Sequence, residues 1–338
     1  MLIVYAIETE NLRKEFVSPV RQPGLKGAIK GLVSRETKRS VAVESFSIQV
    51  QEGEFVGFLG PNGAGKTTTI KMLTGILYPT SGTARVLGEV PFERKSELLR
   101  QIALVMGNRQ QLWWDLPARE SFAVLKEVYD VPAATFNKRV DRLIADLDLS
   151  DKVDTQVRKL SLGERMKCEL VAALLHGPRV VFLDEPTIGL DVISQQRIRQ
   201  FLKEFNEEEG CTVVLTSHYM QDVEELCERV VVINHGNQVF DGTLADLRSQ
   251  YSPERRLRVT FTESPETNQL PAQAKVLEQN SAQWVLSLPA DAVAPITSEI
   301  LQNFAVADLS LEEADVEDAL RALFAEGPGA VSRETPAR

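Results

Sequence analysis

A glycine-rich segment that follows an apolar run restricts the possible folds of this chain more than any other feature of its sequence. Residues 60–68 read GPNGAGKTT, directly after Phe55–Leu59 and before the helical stretch Thr69–Leu73. They match the phosphate-binding pattern GxxxxGK[ST], in which a strand aims the loop and a helix N-terminus supplies free N–H groups. An ordinary glycine-rich turn with a solvated lysine is the alternative. The flanking strand and helix favour phosphate binding. The residues expected to contact the phosphates are Gly60, Pro61, Asn62, Gly63, Ala64, Gly65, Lys66, Thr67 and Thr68.

The residue types in this loop suit a nucleotide. Glycines at 60, 63 and 65 let the backbone curl around an anion where a Cβ atom would obstruct it. Lys66 is expected to reach the β- and γ-phosphates, and the Thr67 hydroxyl to ligate Mg²⁺. The loop therefore predicts ATP and Mg²⁺ as ligands.

Length and charge narrow the class of protein. The 338 residues suffice for one large domain and a smaller one. The net charge of −10 argues against nucleic acid as the main partner. No run of about 18 uncharged apolar residues occurs, so the sequence predicts no membrane-spanning helix. The apolar start, Met1–Ile7, is too short for a signal sequence, and we expect a first strand over Leu2–Glu8.

The three cysteines are odd in number, widely spaced and without a metal-ligand pattern. This usage predicts reduced thiols in a reducing compartment. They are Cys168, Cys211 and Cys227.

Strand-like and helical segments alternate along most of the chain. This order predicts a largely parallel sheet with helices on its faces and ligands at the carboxyl ends of its strands. The predicted strands are 54–59, 102–106, 179–183, 212–216 and 229–233, with helices at Val192–Phe205 and Gln221–Cys227.

Two acidic residues follow one of these apolar strands. Residues 180–186 read VVFLDEP. Asp184 is expected to hold Mg²⁺, directly or through water, and Glu185 to polarise the water that attacks the γ-phosphate. A simple acidic turn is the alternative, but the run is too apolar for an edge strand and a phosphate loop precedes it.

Three further motifs resemble those of the ABC-type ATPases. Residues 160–170, LSLGERMKCEL, resemble the signature segment LSGGQ, with Leu162 and Glu164 as variants. Gly189–Asp191 resembles the D-loop, and Thr216–His218 resembles the switch-histidine motif. The motifs occur in the family's order, and the fuller text is similar to the nucleotide-binding subunits of ABC-2-type exporters.

The resemblance covers about residues 1–248 and implies an architecture. It is an α/β phosphate-loop NTPase of the ABC type, with a mostly parallel core, a small antiparallel β region and a helical subdomain over residues 108–175. We expect the signature helix at Met166–Leu175.

The resemblance also implies that two chains share each ATP. Ser161, Gly163 and Glu164 would form a second anion site that caps the γ-phosphate bound to the opposite subunit. His218 would contact the γ-phosphate, and Asp191 would tie the subunits together. The alternative for His218 is a surface histidine with a satisfied hydrogen bond. The alternative for Asp191 is a helix N-cap, which is compatible with a role between subunits.

The expected partner is a second copy of the chain or a paralogous ATPase. Separate transmembrane permease subunits would complete the system at the cytoplasmic face of the membrane.

Three further features of the sequence are interpreted through the resemblance. The family's glutamine after the strand 102–106, which reaches Mg²⁺ and the water, corresponds here to the shorter Asn108, although Gln110 or Gln111 could substitute. Phe16 is the best candidate to stack on adenine. Trp113 and Trp114 precede a predicted helix at Arg119–Tyr129. We expect one of them to line the groove where the family docks a permease helix, the alternative being that both pack inside the subdomain.

Residues 17–40 form a basic insertion in an acidic protein. They predict either a short amphipathic helix against lipid or the permease, or a solvated loop. The apolar face of such a helix would comprise Leu25, Ile29, Leu32 and Val33.

The alternation breaks near the C-terminus. Residues 253–326 predict a small α/β appendage, and residues 327–338 a disordered tail. By analogy with exporter ATPases the appendage would serve dimerisation or regulation. Its predicted strands are Leu257–Thr262 and Trp284–Leu288, and its predicted helices are Pro295–Gln302 and Leu311–Phe324.

The leading interpretation is the ATPase subunit of an exporter. A soluble ABC ATPase that remodels nucleic acid or ribosomes fits less well, because the chain has one set of motifs and no sustained heptads. An importer ATPase stays open, and intact catalytic motifs disfavour a degenerate scaffold. The sequence does not reveal the cargo.

Overall fold

The apolar runs predicted as strands form the parallel centre of a ten-stranded sheet among the described residues. The computed structural model describes residues 5–19, 37–107, 110–252, 254–263, 270–271, 273–313 and 315–325. The strands of this sheet are β1 (Tyr5–Pro19), β2 (Thr37–Phe46), β3 (Gln49–Gln51), β4 (Phe55–Leu59), β5 (Ser81–Val86), β6 (Ile102–Met106), β7 (Val180–Asp184), β8 (Thr212–Thr216), β9 (Arg229–Asn234) and β10 (Asn237–Thr243).

The sheet has two parts. Strands β9, β4, β8, β7 and β6 are neighbours in that order and pair in parallel. Strand β1 pairs antiparallel with β2, β3 and β5. The predicted fold class, a mostly parallel core with a small antiparallel region and helices, is therefore confirmed.

The helices of this part of the chain follow the predicted alternation. They are α1 (Lys66–Leu73), α2 (Ser96–Leu99), α3 (Ala118–Val128), α4 (Ala133–Asp146), α5 (Leu162–Leu174), α6 (Val192–Glu209) and α7 (Met220–Leu226). The signature helix α5 begins at Leu162 rather than at the predicted Met166, because Ser161 is a complete N-cap. Among the described residues, no helix combines the length and apolarity needed to cross a bilayer.

The central strands are buried on both faces, which explains their nearly continuous apolar sequences. Every residue of β4, β7 and β8 is buried. Phe46 and Phe58 pack edge to face with ring centroids 5.5 Å apart. This rigid sheet fixes the strand ends, from which the functional loops emerge.

The chain divides into two compact units, residues 1–241 and 242–338. The second unit contains a four-stranded antiparallel sheet in the order β12, β13, β11, β14. Its elements are α8 (Leu244–Tyr251), β11 (Glu254–Phe261), β12 (Lys275–Gln279), β13 (Gln283–Pro289), α9 (Val293–Asn303), β14 (Val306–Glu313) and α10 (Val316–Ala325).

One predicted helix of the second unit is wrong at its start. Leu311, predicted as helical, lies in β14 opposite Leu257 of β11. The period-two pairing of Leu309 and Leu311 with β11 takes precedence over the local helical pattern. The helix begins only at Val316, where acidic residues occupy its first turn.

Only some of the predictions for the N-terminal region concern residues that the structure describes. Within the described residues, the first strand runs from Tyr5, inside the predicted Leu2–Glu8, to Pro19. The ends of the basic insertion pair in strands, with Val17 opposite Arg39. The predicted amphipathic face at residues 25–33 lies outside the described residues, as do Asn108 and the predicted tail at 327–338.

Candidate nucleotide-binding site

The phosphate loop is tightly held at two of its glycines. Gly60 has φ +148°, and a Cβ atom there would lie 2.0 Å from the Ile233 carbonyl oxygen. Gly65 has φ +115°, and a Cβ atom there would lie 2.5 Å from the Ala42 carbonyl oxygen. The loop is therefore held between the end of β9 and the middle of β2, and only glycine fits at these positions.

Lys66 lies inside the loop with little exposure. Its Nζ donates hydrogen bonds to the carbonyl oxygens of Gly60 (2.6 Å) and Pro61 (3.2 Å). Burial lowers the pKa of Lys66, while the carboxylates of Glu185 and Asp184 act in the opposite direction. A buried ammonium group at a loop of backbone N–H groups is suited to an anionic ligand.

Asp184 meets the hydroxyls of two neighbouring elements. Thr67 Oγ1 donates to Asp184 Oδ2 at 2.9 Å, and Thr216 Oγ1 donates to Asp184 Oδ1 at 2.7 Å. The predicted pair of Thr67 and Asp184 thus lies together. The contact of the Thr216 hydroxyl was not predicted, although the place of Thr216 at the end of a parallel strand is a signal for it.

Glu185 adopts an unusual backbone conformation. Its φ of +57° lies in the left-handed region, which is rare for a residue other than glycine. Its N–H donates to the carbonyl and hydroxyl oxygens of Thr216, at 3.0 and 3.1 Å. Strain of this kind occurs often at active sites.

His218 Nε2 lies 2.9 Å from Glu185 Oε1, and both side chains are partly exposed. The predicted Glu185 and His218 are therefore direct neighbours at the sheet's carboxyl edge. The alternative for His218, a surface histidine with a satisfied hydrogen bond, is compatible with the same contact, because the residue that His218 contacts is the predicted catalytic carboxylate.

The metal-ligand chemistry of this edge is that of oxygen donors. Within the described ranges, no group of three or more His, Cys, Asp or Glu side chains could hold a metal ion. A carboxylate and a hydroxyl side by side suit Mg²⁺, which retains water and phosphate ligands rather than a full protein cage.

The signature residues form a second cluster. Ser161 Oγ accepts from the Glu164 N–H at 3.2 Å, and Glu164 Oε2 accepts from the Ser161 N–H at 2.8 Å. Lys152 Nζ lies 2.9 Å from Glu164 Oε1. The Lys152 hydrogen bond and that of the Ser161 backbone lower the pKa of Glu164. Glu164, the variant residue, thus stabilises the start of α5.

Asp191 and Gly163 bring the starts of α5 and α6 together. Asp191 is the N-cap of α6 and accepts from the Ser194 N–H (2.9 Å) and Oγ (2.7 Å), which lowers its pKa. A Cβ atom at Gly163 would lie 2.4 Å from Ser194 Oγ. The N-cap interpretation of Asp191 is confirmed, and its role between subunits stays a prediction. Among the described residues, no hydrogen bond joins this second cluster to the phosphate loop.

The loop after β6 is only partly described. Gln111, an alternative to Asn108, donates through Nε2 to the Leu104 carbonyl (3.1 Å), and its N–H donates to the Glu169 carboxylate (3.0 Å). Gln110 is exposed. Asn108 lies outside the described residues, so its role stays a prediction.

Phe16 is partly exposed, at 42%. It pairs with Ser40 on β2, two residues from Ala42, whose carbonyl touches the phosphate loop at Gly65. Lys14 Nζ lies 5.2 Å from the Phe16 ring centroid. The strand pairing thus brings Phe16 towards the loop, and stacking on adenine stays a prediction.

Trp113 and Trp114 are both partly exposed, at 45% and 44%, so the alternative that both pack inside the subdomain is wrong. A cavity of about 590 Å³ lies nearby, but neither tryptophan lines it. Its apolar lining includes Ile76, Leu99, Leu104, Met106, Val128 and Tyr129.

The three cysteines are buried and form no disulfide. Burial raises the pKa values of Cys168 and Cys211 to about 12. The structure thus agrees with the prediction of reduced thiols.

Comparison with known proteins places these features in a family. A family model described as ABC transporter matches residues 43–188, and one described as EvrA-like ABC transporter, C-terminal domain, matches residues 253–312. The ABC transporter ATP-binding protein NatA of Bacillus subtilis (strain 168) is 32% identical over 214 residues, 63% of this chain and 85% of that protein.

The Nod factor export ATP-binding protein I of Paraburkholderia xenovorans (strain LB400) is 36% identical over 210 residues, 62% of this chain and 68% of that protein. A solved dimeric structure of the ATP-binding cassette MJ0796, in a post-hydrolysis state with ADP and Pi, has a TM-score of 0.57 at 23% identity. It covers 70% of this chain and 98% of that chain, and it supports the fold.

Motifs, fold and relatives agree, and the resemblance found in the sequence is confirmed. The chain belongs to the ABC transporter family as an ATP-binding and ATP-hydrolysing protein of the ABC-2-type exporter group.

Proposed function

We propose that two copies of this chain, or one copy and a paralogous ATPase, bind ATP between them and drive separate membrane subunits from the cytoplasmic face. The observation that carries this proposal is that no hydrogen bond joins the two clusters within the described part of the chain. Phosphate loop, Asp184, Glu185 and His218 form one group, whereas Ser161, Gly163, Glu164 and Asp191 form another. A second chain can supply the missing half of each site.

Each residue of the first cluster has a role that its contacts support. Residues 60–68 would hold the phosphates through backbone N–H groups, and Lys66 would exchange its carbonyl partners for phosphate oxygens. Thr67 and Asp184 would hold Mg²⁺, which neutralises charge on the β- and γ-phosphates when bound.

Glu185 would accept a hydrogen bond from the attacking water. His218, whose Nε2 lies 2.9 Å from the same carboxylate, would contact the γ-phosphate. Asn108 would complete the contacts to the metal ion and the water, and Phe16 would stack on the adenine.

The surface around the second cluster suits a protein partner. Val192 and Ile193 are 73% and 80% exposed at the start of α6, next to Asp191. Leu162 and Ile188 are also exposed. Apolar residues grouped at such a surface indicate an interface, and a second copy would cover them when ATP joins the chains.

The cavity that adjoins β6 is our candidate for the permease contact. Its lining combines apolar side chains with polar and basic ones, including Arg94 and Arg100, and β6 leads directly to the position of Asn108. A short amphipathic helix fits such a groove. Movement of that helix would then reach the hydrolytic site through a single strand.

Complementation between two inactive variants tests the shared site. Glu185→Gln removes the catalytic carboxylate from one chain. Ser161→Asp retains an N-cap residue but places negative charge where the partner's γ-phosphate would bind, and Ser161→Asn is the matched neutral control. Each of the first two variants alone is expected to lack ATPase activity, and their mixture is expected to recover part of it.

Mixtures of Glu185→Gln with wild-type chain set the reference rate. If that mixture is active while the mixture of the two variants is not, the shared site is wrong. Size-exclusion chromatography of Glu185→Gln with Mg-ATP provides the second readout, and we expect a dimer. Repeating it with EDTA tests the requirement for Mg²⁺.

A further inference from the structure

A buried polar cluster lies beneath the loop that carries His218. It consists of Asp222, Arg199, Thr187 and Ser217, which are exposed by only 0%, 2%, 1% and 4%. Ser217 Oγ donates to Asp222 Oδ2 at 2.6 Å, and Arg199 donates through a terminal guanidinium nitrogen to Asp222 Oδ1 at 3.0 Å. The Thr187 hydroxyl also donates to Asp222 Oδ2. One carboxylate therefore collects hydrogen bonds from three separate segments.

These segments are the ones that carry the proposed catalytic groups. Thr187 follows Glu185 by two residues. Ser217 precedes His218, and its Oγ also accepts from the Tyr219 N–H at 3.0 Å. The backbone is thus held on both sides of His218.

The third segment is α6, which starts after Asp191. Gln195 on this helix donates to the Thr187 carbonyl at 3.3 Å, and Arg199 lies one turn further along. Any displacement of α6 must therefore be transmitted to the loop that follows Glu185, or it must break buried hydrogen bonds.

The charges of the cluster are paired although they are buried. Arg199 contacts Asp222 and, through Nε at 2.9 Å, Glu225, whose side chain is 44% exposed. A buried ion pair gains little net stability over apolar packing, but removing one partner leaves a costly unpaired charge. Fixing one geometry of the surrounding segments is a role that such a pair can serve.

We infer that Asp222 and Arg199 are positioning residues, which hold Glu185 and His218 in the 2.9 Å contact that hydrolysis requires. This inference rests on the proposed roles of Glu185 and His218. Asp222 is expected to act on the rate of the chemical step and not on nucleotide binding, since it contacts neither the phosphate loop nor Asp184 in the described part of the chain.

The first test is Asp222→Asn in the full chain. We expect kcat to fall about ten- to a hundredfold, because small misplacements of reacting groups have effects of this size, while the Kd for ATP stays near the wild-type value. The matched control is Asp241→Asn, whose carboxylate also receives two hydrogen bonds from an arginine, Arg229, but at the opposite edge of the sheet. It is expected to leave kcat unchanged.

A double variant separates positioning from stability. Asp222→Asn leaves Arg199 with a single, partly exposed partner and should lower the Tm. Adding Arg199→Gln removes the unpaired charge and should recover much of the Tm. We expect kcat to remain low in the double variant, because the hydroxyls of Thr187 and Ser217 still lack their carboxylate.

Recovery of kcat together with Tm would overturn the inference and leave the cluster a structural role alone. Thr187→Val, which removes one hydrogen bond at nearly constant shape, serves if Asp222→Asn does not fold, and a wild-type kcat for it would also overturn the inference. Glu185→Gln is measured beside these variants. If it still hydrolyses ATP, the proposed function fails; if it is inactive while Asp222→Asn has wild-type kcat, only this inference fails.

Discussion

The two edges of the parallel sheet carry polar side chains for different purposes. At the amino edge, Arg229 is held by Glu54 and Asp241 at 3.0 and 2.7 Å, so its charge is paired within the chain. At the carboxyl edge, Asp184 accepts hydrogen bonds from the hydroxyls of Thr67 and Thr216, and among the described residues it forms no salt bridge. The charge of Arg229 is therefore paired within the chain, whereas the carboxyl edge has charge that a ligand can satisfy.

This difference shows which edge of the sheet contributes to stability and which edge carries the functional groups. A completed ion network resists change, and strained or incompletely paired groups mark sites of binding and catalysis. Glu185, with φ of +57°, belongs to the second kind. Substitutions of charged side chains at the carboxyl edge should therefore change activity, and those at the amino edge should change stability.

The largest expected effect is on nucleotide affinity at the carboxyl edge. Lys66→Ala should weaken ATP binding by about 4 kcal/mol, roughly a thousandfold, because it removes a buried charge that faces the phosphates. Titration of a fluorescent ATP analogue measures the Kd, and circular dichroism checks the fold. Lys95→Ala, an exposed lysine that pairs with Glu89, is the control and should bind ATP normally. Equal affinity of the two variants would contradict the assigned role of Lys66.

The second effect concerns the space around the phosphate loop. Gly65→Ala should destabilise the chain by about 3 to 4 kcal/mol, because its Cβ would lie 2.5 Å from the Ala42 carbonyl oxygen at φ +115°. Gly63→Ala is the matched control, since it shares a positive φ of +79° but meets nothing within 4 Å. It should cost only about 1 kcal/mol. Urea unfolding followed by circular dichroism measures both, and equal losses would contradict the packing argument.

The third prediction places a pH dependence at the amino edge. His176 stacks on Tyr129 at 3.9 Å, and its Nε2 lies 3.2 Å from the carbonyl of Ile102, the first residue of β6. Burial lowers the pKa of His176 to about 4, and the nearby Arg139 acts in the same direction. The unfolded chain therefore takes up a proton at higher pH than the folded one.

The contribution of neutral His176 to the free energy of unfolding is complete above its ordinary pKa of about 6.5. This contribution is lost as the pH falls towards 4. The loss should reach about 3 kcal/mol at most. His176→Phe retains an aromatic ring for the stack and should flatten this part of the stability curve, as measured by Tm at pH 4.5 to 7. An unchanged slope would assign the effect to other groups. His235→Phe is the control for removing a histidine elsewhere.

The same comparison shows what sequence could predict. The phosphate loop and Asp184–Glu185 each follow an apolar strand, so local pattern and the geometry of parallel sheets together placed them at one edge. The contacts of Asp222 were not predictable, since Thr187 and Arg199 are 35 and 23 residues away and only folding brings them together. Leu311 was misassigned for the same reason, because its strand partner Leu257 is distant in sequence.

The smallest effect is expected at Arg229, whose charge is already paired at the amino edge. Arg229→Gln should lower stability by about 1 to 2 kcal/mol, since it removes charge-assisted hydrogen bonds from Glu54 and Asp241. Both carboxylates are partly exposed, at 22% and 25%, so water replaces part of the lost interaction. Urea unfolding should detect the loss, while ATP affinity and kcat should equal those of the wild type. A drop in kcat would show that a change at the amino edge alters the phosphate loop through β9. The assignment of stability to one edge and of activity to the other would then be wrong.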